Sequence, residues 1–586
     1  MAGTMSEKEL KINCRMKIGA KLESLSRNTN AAAMVLVGNV MYMAKAHANE
    51  NGKIVYKSMI LKSNQFASGS IGNDEKVAEI NYFVYGMTAT ADKLYCTCKN
   101  NAGEPGILEM KMNTSGQKFT KLNATYVGID IYKDGEFILM KQLDENGTKS
   151  MKFVTGSLNE LKNGTGVNFT VNANDAIEYK KANDIYYDCN QGLFILTNHY
   201  LDSDKYKTCQ NRILLVKPET YVKDKTYYPH AVFQVEQDTT TYSQFNFEGI
   251  TLYKNNIWVL SNVIETTGKK EADCIGYMPG ITFKKWDESV NKKGNGYFSF
   301  NGSTKTGALL SNYTINGTEC KNVESMAMDE SGCAYCLKCS TDNKGAVLLA
   351  SDNPETGTGK VVKKASYEGK NCLYHCNGMT YNPEDKRIYV CGYDKSNSAN
   401  IKNEIFAIDK NGKIVDRYDS EKPQYGIAFY KKNADETEFL LMNQNRTAAT
   451  IPFDVAVLKK GVMSIKENKF RLEFGRKEGE TLQDIFYHSS YGMLFPVTVS
   501  DGMKNKVTIY HVSKEQIADA IENCGVVKPD FAIVLDKSSK YEFYEIESMD
   551  IAPGSKQMVM CGNFKLSTAT TEADSFETLK TLTFLV

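Results

Sequence analysis

The stretch FEGITLYKNNIWVLSN, residues 247–262, decides how the chain is read. Two short apolar runs, ITLY and IWVL, flank the turn formers Lys254, Asn255 and Asn256, so the pattern predicts an antiparallel hairpin of buried strands. The same hairpin returns along the whole sequence. Runs equivalent to IWVLSN are VMYMAK (40–45), LYCTCK (94–99), EFILMK (136–141), LFILTN (193–198), AYCLKC (334–339), IYVCGY (388–393), EFLLMN (438–443), MLFPVT (493–498) and MVMCGN (558–563). Runs equivalent to EGITLY include YGMTAT at 85, VGIDIY at 127, ESMAMD at 324, NGMTYN at 377, YGIAFY at 425 and ESMDIA at 547. NDIYYD at 183, QDIFYH at 483 and AAMVLV at 32 complete that set.

A third strand follows in most units, as in RILLVK (212–217) and EIFAIDK (404–410). A fourth is clearest in FAIDKNGKIVDRYD, where Asn411-Gly412 signals a type I′ turn. The Ile/Met column, residues 34, 87, 129, 185, 250, 326, 379, 427, 485 and 549, recurs every 42 to 76 residues, roughly. Four-stranded antiparallel units of that size without intervening helices predict an all-β chain, a β-propeller of about ten blades.

The last unit ends at LKTLTFLV without an outer strand, and ELKINCRMKIG (9–19) precedes the first unit without a sheet of its own. The expectation is therefore a single ring over 31–586, closed by a strand from the segment 1–30. The alternative is two five-bladed propellers in tandem, divided near 284–307. One helix is expected over 513–524 as a rim insertion, with Ser513 and Gln516 as a capping box and Gly525 as its stop.

Composition narrows the function classes. Lys plus Arg number 71 against 70 acidic residues, a net charge of +1 that gives no field to draw nucleic acid. The apolar run 31–44 is too short to span a bilayer and follows a polar stretch, so neither membrane insertion nor a signal peptide is expected. Fifteen cysteines fit mostly reduced thiols. These features suit a cytoplasmic or virion-associated protein. No HExxH, GxSxG, Walker or Rossmann motif is present.

Two clusters are candidates for chemistry. In CAYCLKC, Cys333 and Cys339 would lie on one strand face and Cys336 on the other, which favours packing over a metal knuckle. Cys372, His375 and Cys376 are the better metal candidates. The second cluster is the column two residues before the Ile/Met: Glu248, Glu324 and Glu547, with Asn377, Asn183 and Gln483. On an innermost strand it faces one mouth of the channel, able to hold calcium, to hydrogen-bond a sugar, or to clasp backbone amides of the next blade. Its Glu-Gly-Ile start resembles strands of lactonase-like and NHL-like propellers. That resemblance implies a calcium held by a glutamate and amides.

The function expected from the sequence is a non-enzymatic propeller that presents loops to a protein or a glycan, with assembly into a bacterial or phage particle. The alternatives are a metal-dependent hydrolase or lyase at the channel mouth, and a cytoplasmic scaffold for a peptide.

Overall fold

The computed structural model describes residues 10–22, 30–50, 53–64, 75–143, 150–172, 181–200, 209–218, 220–236, 242–267, 271–284, 297–393, 403–443, 450–477, 479–499, 506–537, 540–551 and 557–584. The chain is all-β apart from three short helical segments among these residues. No helix among them is long and apolar enough to cross a membrane.

The described residues form ten sheets, five in each of two compact units that divide between residues 296 and 297. In the first unit the innermost strands are Asn30–Val37, Tyr82–Ala89, Tyr126–Ile131, Lys181–Asp188 and Tyr242–Tyr253. Each packs on the next and the fifth returns to the first, a closed cycle of propeller architecture. The second unit closes in the same way. Its innermost strands are Thr318–Met328, His375–Asn382, Gln424–Asn433, the Phe486–His488 edge and Tyr541–Asp550. A single ring of ten is thus not formed.

The closing strand is also corrected. Lys17–Leu22 pairs antiparallel with Glu271–Tyr277 and completes the fifth sheet of the first unit, not the last sheet of the chain. Thr304–Leu310 does the same for the second unit on Ala573–Leu579. The unpaired edge of each fifth sheet takes the segment that leads into its own unit, which satisfies the edge N–H and C=O groups locally. The strand before each closing strand also has a fixed place. Leu10–Arg15 runs parallel on Ala231–Glu236, and Tyr297–Asn301 runs parallel on Phe531–Asp536, each extending a fourth sheet. The two units therefore repeat one strand order.

Stacking explains the composition of the second strands. Ala334–Ser340 and Gly345–Ser351 are buried at every position because neighbouring sheets cover both faces. The outer strand Ile414–Asp419 alternates half-buried and exposed residues. Around each axis the innermost strands approach so closely that a Cβ on Gly378 would lie 2.6 Å from the Gly426 Cα, and one on Gly86 would lie 2.7 Å from the Val127 carbonyl oxygen. This explains the small residue before most Ile/Met positions.

Three local readings change. Only Gly412 of Asn411-Gly412 has positive φ (87°), and the register shifts between Ala407 and Ile408, so the turn is not type I′, which needs positive φ at both central residues. The expected helix is Lys514–Asn523, capped by the Ser513 hydroxyl, which accepts from Gln516 N at 3.4 Å. Its left-handed C-cap is Cys524 rather than Gly525. A second helix, Leu158–Asn163, carries a full capping box from Ser157 and Glu160.

Candidate functional site

The column that holds Glu248 and Glu324 has a structural cause. In nine of the ten sheets, the pairing of innermost and second strands skips the residue two before the Ile/Met: 32, 85, 127, 183, 248, 324, 377, 425 and 547. Each is the extra residue of a β-bulge, freed from cross-strand pairing and re-aimed by the bend. Gln483 takes this place in the remaining sheet, between Glu480–Leu482 and Phe486–His488.

In the second unit these positions are mostly polar. Glu324 Oε2 lies 3.6 Å from His375 Nε2, and His375 Nδ1 is 2.9 Å from the Asn343 Oδ1. Asn377 is 4% exposed, and neither its amide nitrogen nor its oxygen has a partner among the described residues. Gln483 donates to Thr498 Oγ1 at 3.2 Å and to Glu545. Glu547 Oε1 accepts from Asn563 Nδ2 at 3.1 Å, and the same amide reaches the Val323 carbonyl at 3.5 Å. Tyr425 is the fifth member and is buried.

In the first unit the equivalent residues are Ala32, Tyr85, Val127, Asn183 and Glu248. Asn183 donates to the Phe247 carbonyl of the next sheet, as does Asn198 at 3.5 Å, so this amide is a fastening. The six residues picked from the sequence therefore fall into two groups in different units: Asn183 with Glu248, and Glu324 with Asn377, Gln483 and Glu547. Among the described residues no three His, Cys, Asp or Glu side chains converge as metal ligands. Cys372, His375 and Cys376 likewise part company. The Cys372 sulfur accepts from Tyr374 N at 3.2 Å, His375 serves Asn343 and Glu324, and Cys376 faces Cys339.

A clasp between sheets is made one place further along the innermost strand. The side chain one after the Ile/Met accepts from the innermost strand of the following sheet: Asp130 from Tyr187 N at 2.6 Å, Thr380 from Phe429 N at 3.0 Å, Asp550 from Met328 N at 2.7 Å. Burial pushes Asp130 up to about 6 despite its hydrogen bonds to Thr88, Tyr187 and Ile131. Asp550 rises for the same reason to about 7.

Asp184 and Asp484 are the two large exceptions to the small residue before the Ile/Met, and both sit in a fourth sheet. Asp484 accepts from Ser548 Oγ at 2.6 Å and from its neighbour Ile485 N at 2.7 Å, and it also reaches Met379 N. Its Oδ1 stands 3.0 Å from where a Gly426 Cβ would be. This one carboxyl touches three other sheets of its unit and fills the axis. Asp184 accepts from Ile250 N at 3.3 Å. Burial raises both carboxyls well above the ordinary range, which favours the protonated form in the packed axis. The repeated Asp-Ile of NDI and QDI was the signal for them.

No family model and no curated protein matches the sequence. Solved structures do match. The GH43_1 enzyme from Xanthomonas citri, complexed with xylose, is 7% identical, covers 45% of this chain and 90% of its own, and gives a TM-score of 0.32. An alpha-L-arabinofuranosidase from Clostridium thermocellum is 12% identical, covers 47% and 94%, and scores 0.31. Another from Podospora anserina, in complex with cellotriose, is 11% identical, covers 46% and 97%, and scores 0.31. All are glycoside hydrolases, unlike the non-enzymatic module expected from the sequence. At such scores the likeness gives this chain neither a substrate nor a catalytic residue.

Proposed function

We propose that the chain is a tandem pair of five-bladed propellers, and that the second holds a glycan at the polar end of its axis and hydrolyses it. The observation that supports this reading is the repeated position two before the Ile/Met, a bulge at Glu324, Asn377 and Glu547 that Gln483 continues in the fourth sheet, around one closed cycle. A neutral, hydroxyl-rich ligand is recognised by such a set, because carboxylates accept while amides both donate and accept. The buried Asn377 amide, with no partner among the described residues, is a group that such a ligand satisfies.

Cleavage of a glycosidic bond needs two carboxyl groups, one as acid and one as base or nucleophile. Glu324, beside His375, and Glu547, holding Asn563, stand on adjacent sheets in different surroundings, the condition for dividing those roles. The test is release of reducing ends from a panel of neutral polysaccharides. Glu324→Gln and Glu547→Gln should each slow release by about a hundredfold or more while calorimetric binding persists, and Asn377→Ala should weaken binding. Neither binding nor release across the panel, or full activity in both glutamine variants, overturns the reading.

A further inference from the structure

Fifteen cysteines with no secretory pattern led to the expectation of reduced thiols, and most are packed singly in strands. One pair is different. The sulfurs of Cys339 and Cys376 lie 2.6 Å apart, nearer than any other two thiols recorded among the described residues, and both residues are buried, at 3% and 0% exposed. They belong to different sheets: Cys339 to Ala334–Ser340 in the first sheet of the second unit, Cys376 to His375–Asn382 in the second.

Strand alternation puts them there. Lys338 points toward the fifth sheet, where its ammonium meets Asp574 at 2.6 Å, so Cys339, the next residue, points the opposite way toward the second sheet. Cys376 is held by the segment before it. Tyr374 takes a left-handed conformation (φ 57°), unusual for an aromatic residue, with its N–H on the Cys372 sulfur and its carbonyl 3.6 Å from the Cys339 sulfur. This strained turn aims two thiols at one point.

We propose that Cys339 and Cys376 form a disulfide that staples the first and second sheets of the second unit, immediately before the bulged Asn377. The oxidant is a low-molecular-weight disulfide such as oxidised glutathione. A thiolate of the pair attacks it and releases one glutathione thiol. The second cysteine sulfur then attacks the mixed disulfide and releases another. The two S–H bonds are lost, one S–S bond forms, and the two protons and two electrons leave with the two glutathione thiols. Burial and the adjoining Cys339 thiol raise the Cys376 thiol well above its ordinary range, so the exchange belongs to folding, before the pair is covered.

The test refolds the full chain from denaturant in oxidised glutathione, blocks remaining thiols with N-ethylmaleimide and maps the peptides without reduction. The expected product is an intramolecular Cys339–Cys376 cross-link, absent in Cys339→Ser and in Cys376→Ser and kept in Cys336→Ser. Reduction should lower the melting temperature of the oxidised wild type and leave that of the Cys339→Ala/Cys376→Ala double variant unchanged. Alkylation of both residues, a glutathione adduct without the cross-link, or pairing of either with Cys372 overturns the proposal. The wild-type peptide map decides it even if a variant fails to fold.

Discussion

The two units share one strand order and differ in what that order carries. Each has a buried aspartate in its fourth sheet, Asp184 or Asp484, and each is closed by the strand that leads into it. At the bulge, the first unit presents Ala32, Tyr85 and Val127 where the second presents Glu324, Asn377 and Tyr425. Backbone geometry was thus kept in both, while the side chains at the bulge differ. A scaffold repeated twice leaves the same five positions open to different chemistry.

The comparison can be probed separately on each side, because both tryptophans, Trp258 and Trp286, lie before residue 297. Tryptophan fluorescence follows the first unit, and hydrogen exchange by mass spectrometry follows the second. The largest effect is expected where the second unit closes. Lys338 and Asp574 are both buried, and Lys338 also donates to the Leu310 carbonyl and to Asn312 Oδ1. Lys338→Met strands the carboxylate and should cost about 3–5 kcal/mol. The exchange of the second unit should rise while the fluorescence transition stays in place; a shift of the tryptophan transition by the same amount would show that the units do not unfold separately.

Next in size is the axis. Asp484→Ala removes the acceptor of Ser548 and Ile485 and should cost about 2 kcal/mol by denaturant titration. Asp484→Asn keeps the shape and one acceptor oxygen and, with burial disfavouring the charged carboxylate, should cost less. An equal loss in both variants would mean that the carboxyl is ionised.

A smaller effect separates the units by pH. Asp130 and Asp550 hold their protons to about 6 and about 7 when folded, against about 4 in an unfolded chain. Their contribution is therefore complete below about pH 4 and declines as the pH rises through the folded values, because the unfolded state releases its proton first. The decline should reach higher pH in the second unit. Asp130→Asn should flatten the pH dependence of the fluorescence transition, and Asp550→Asn that of exchange in the second unit; unchanged slopes would sink the assignment. The smallest effect is expected of Thr380→Val, which loses one hydrogen bond to Phe429 N, about 1 kcal/mol.

Much of the site was visible as a column. Glu324, Asn377 and Glu547 are recognisable because a bulge at a fixed distance from a buried Ile or Met leaves a repeating position in the sequence, and Gln483 because it falls in the same column. The clasping residues Asp130, Thr380 and Asp550 stand in that same alignment, one place after the Ile/Met, but a hydrogen bond to a neighbouring backbone amide leaves no mark on the partner's side chain. The helix at Leu158–Asn163 had its Ser157 and Glu160 in plain view and was missed because it is short and lies between strands.

The sequence by itself marked the all-β character and the repeated antiparallel hairpins, since burial on both faces writes apolar runs and turns write Gly, Asn and Asp. Tertiary structure alone decided that ten sheets make two cycles of five. Adjacent sheets pack through the same side chains in a ring of either size, and closure depends on backbone hydrogen bonds at a sheet edge, which specify no residue type. The likeness of KIGAKL at 17–22 to KTGALL at 305–310 is the trace that closure left, readable once both segments are seen to complete a fifth sheet.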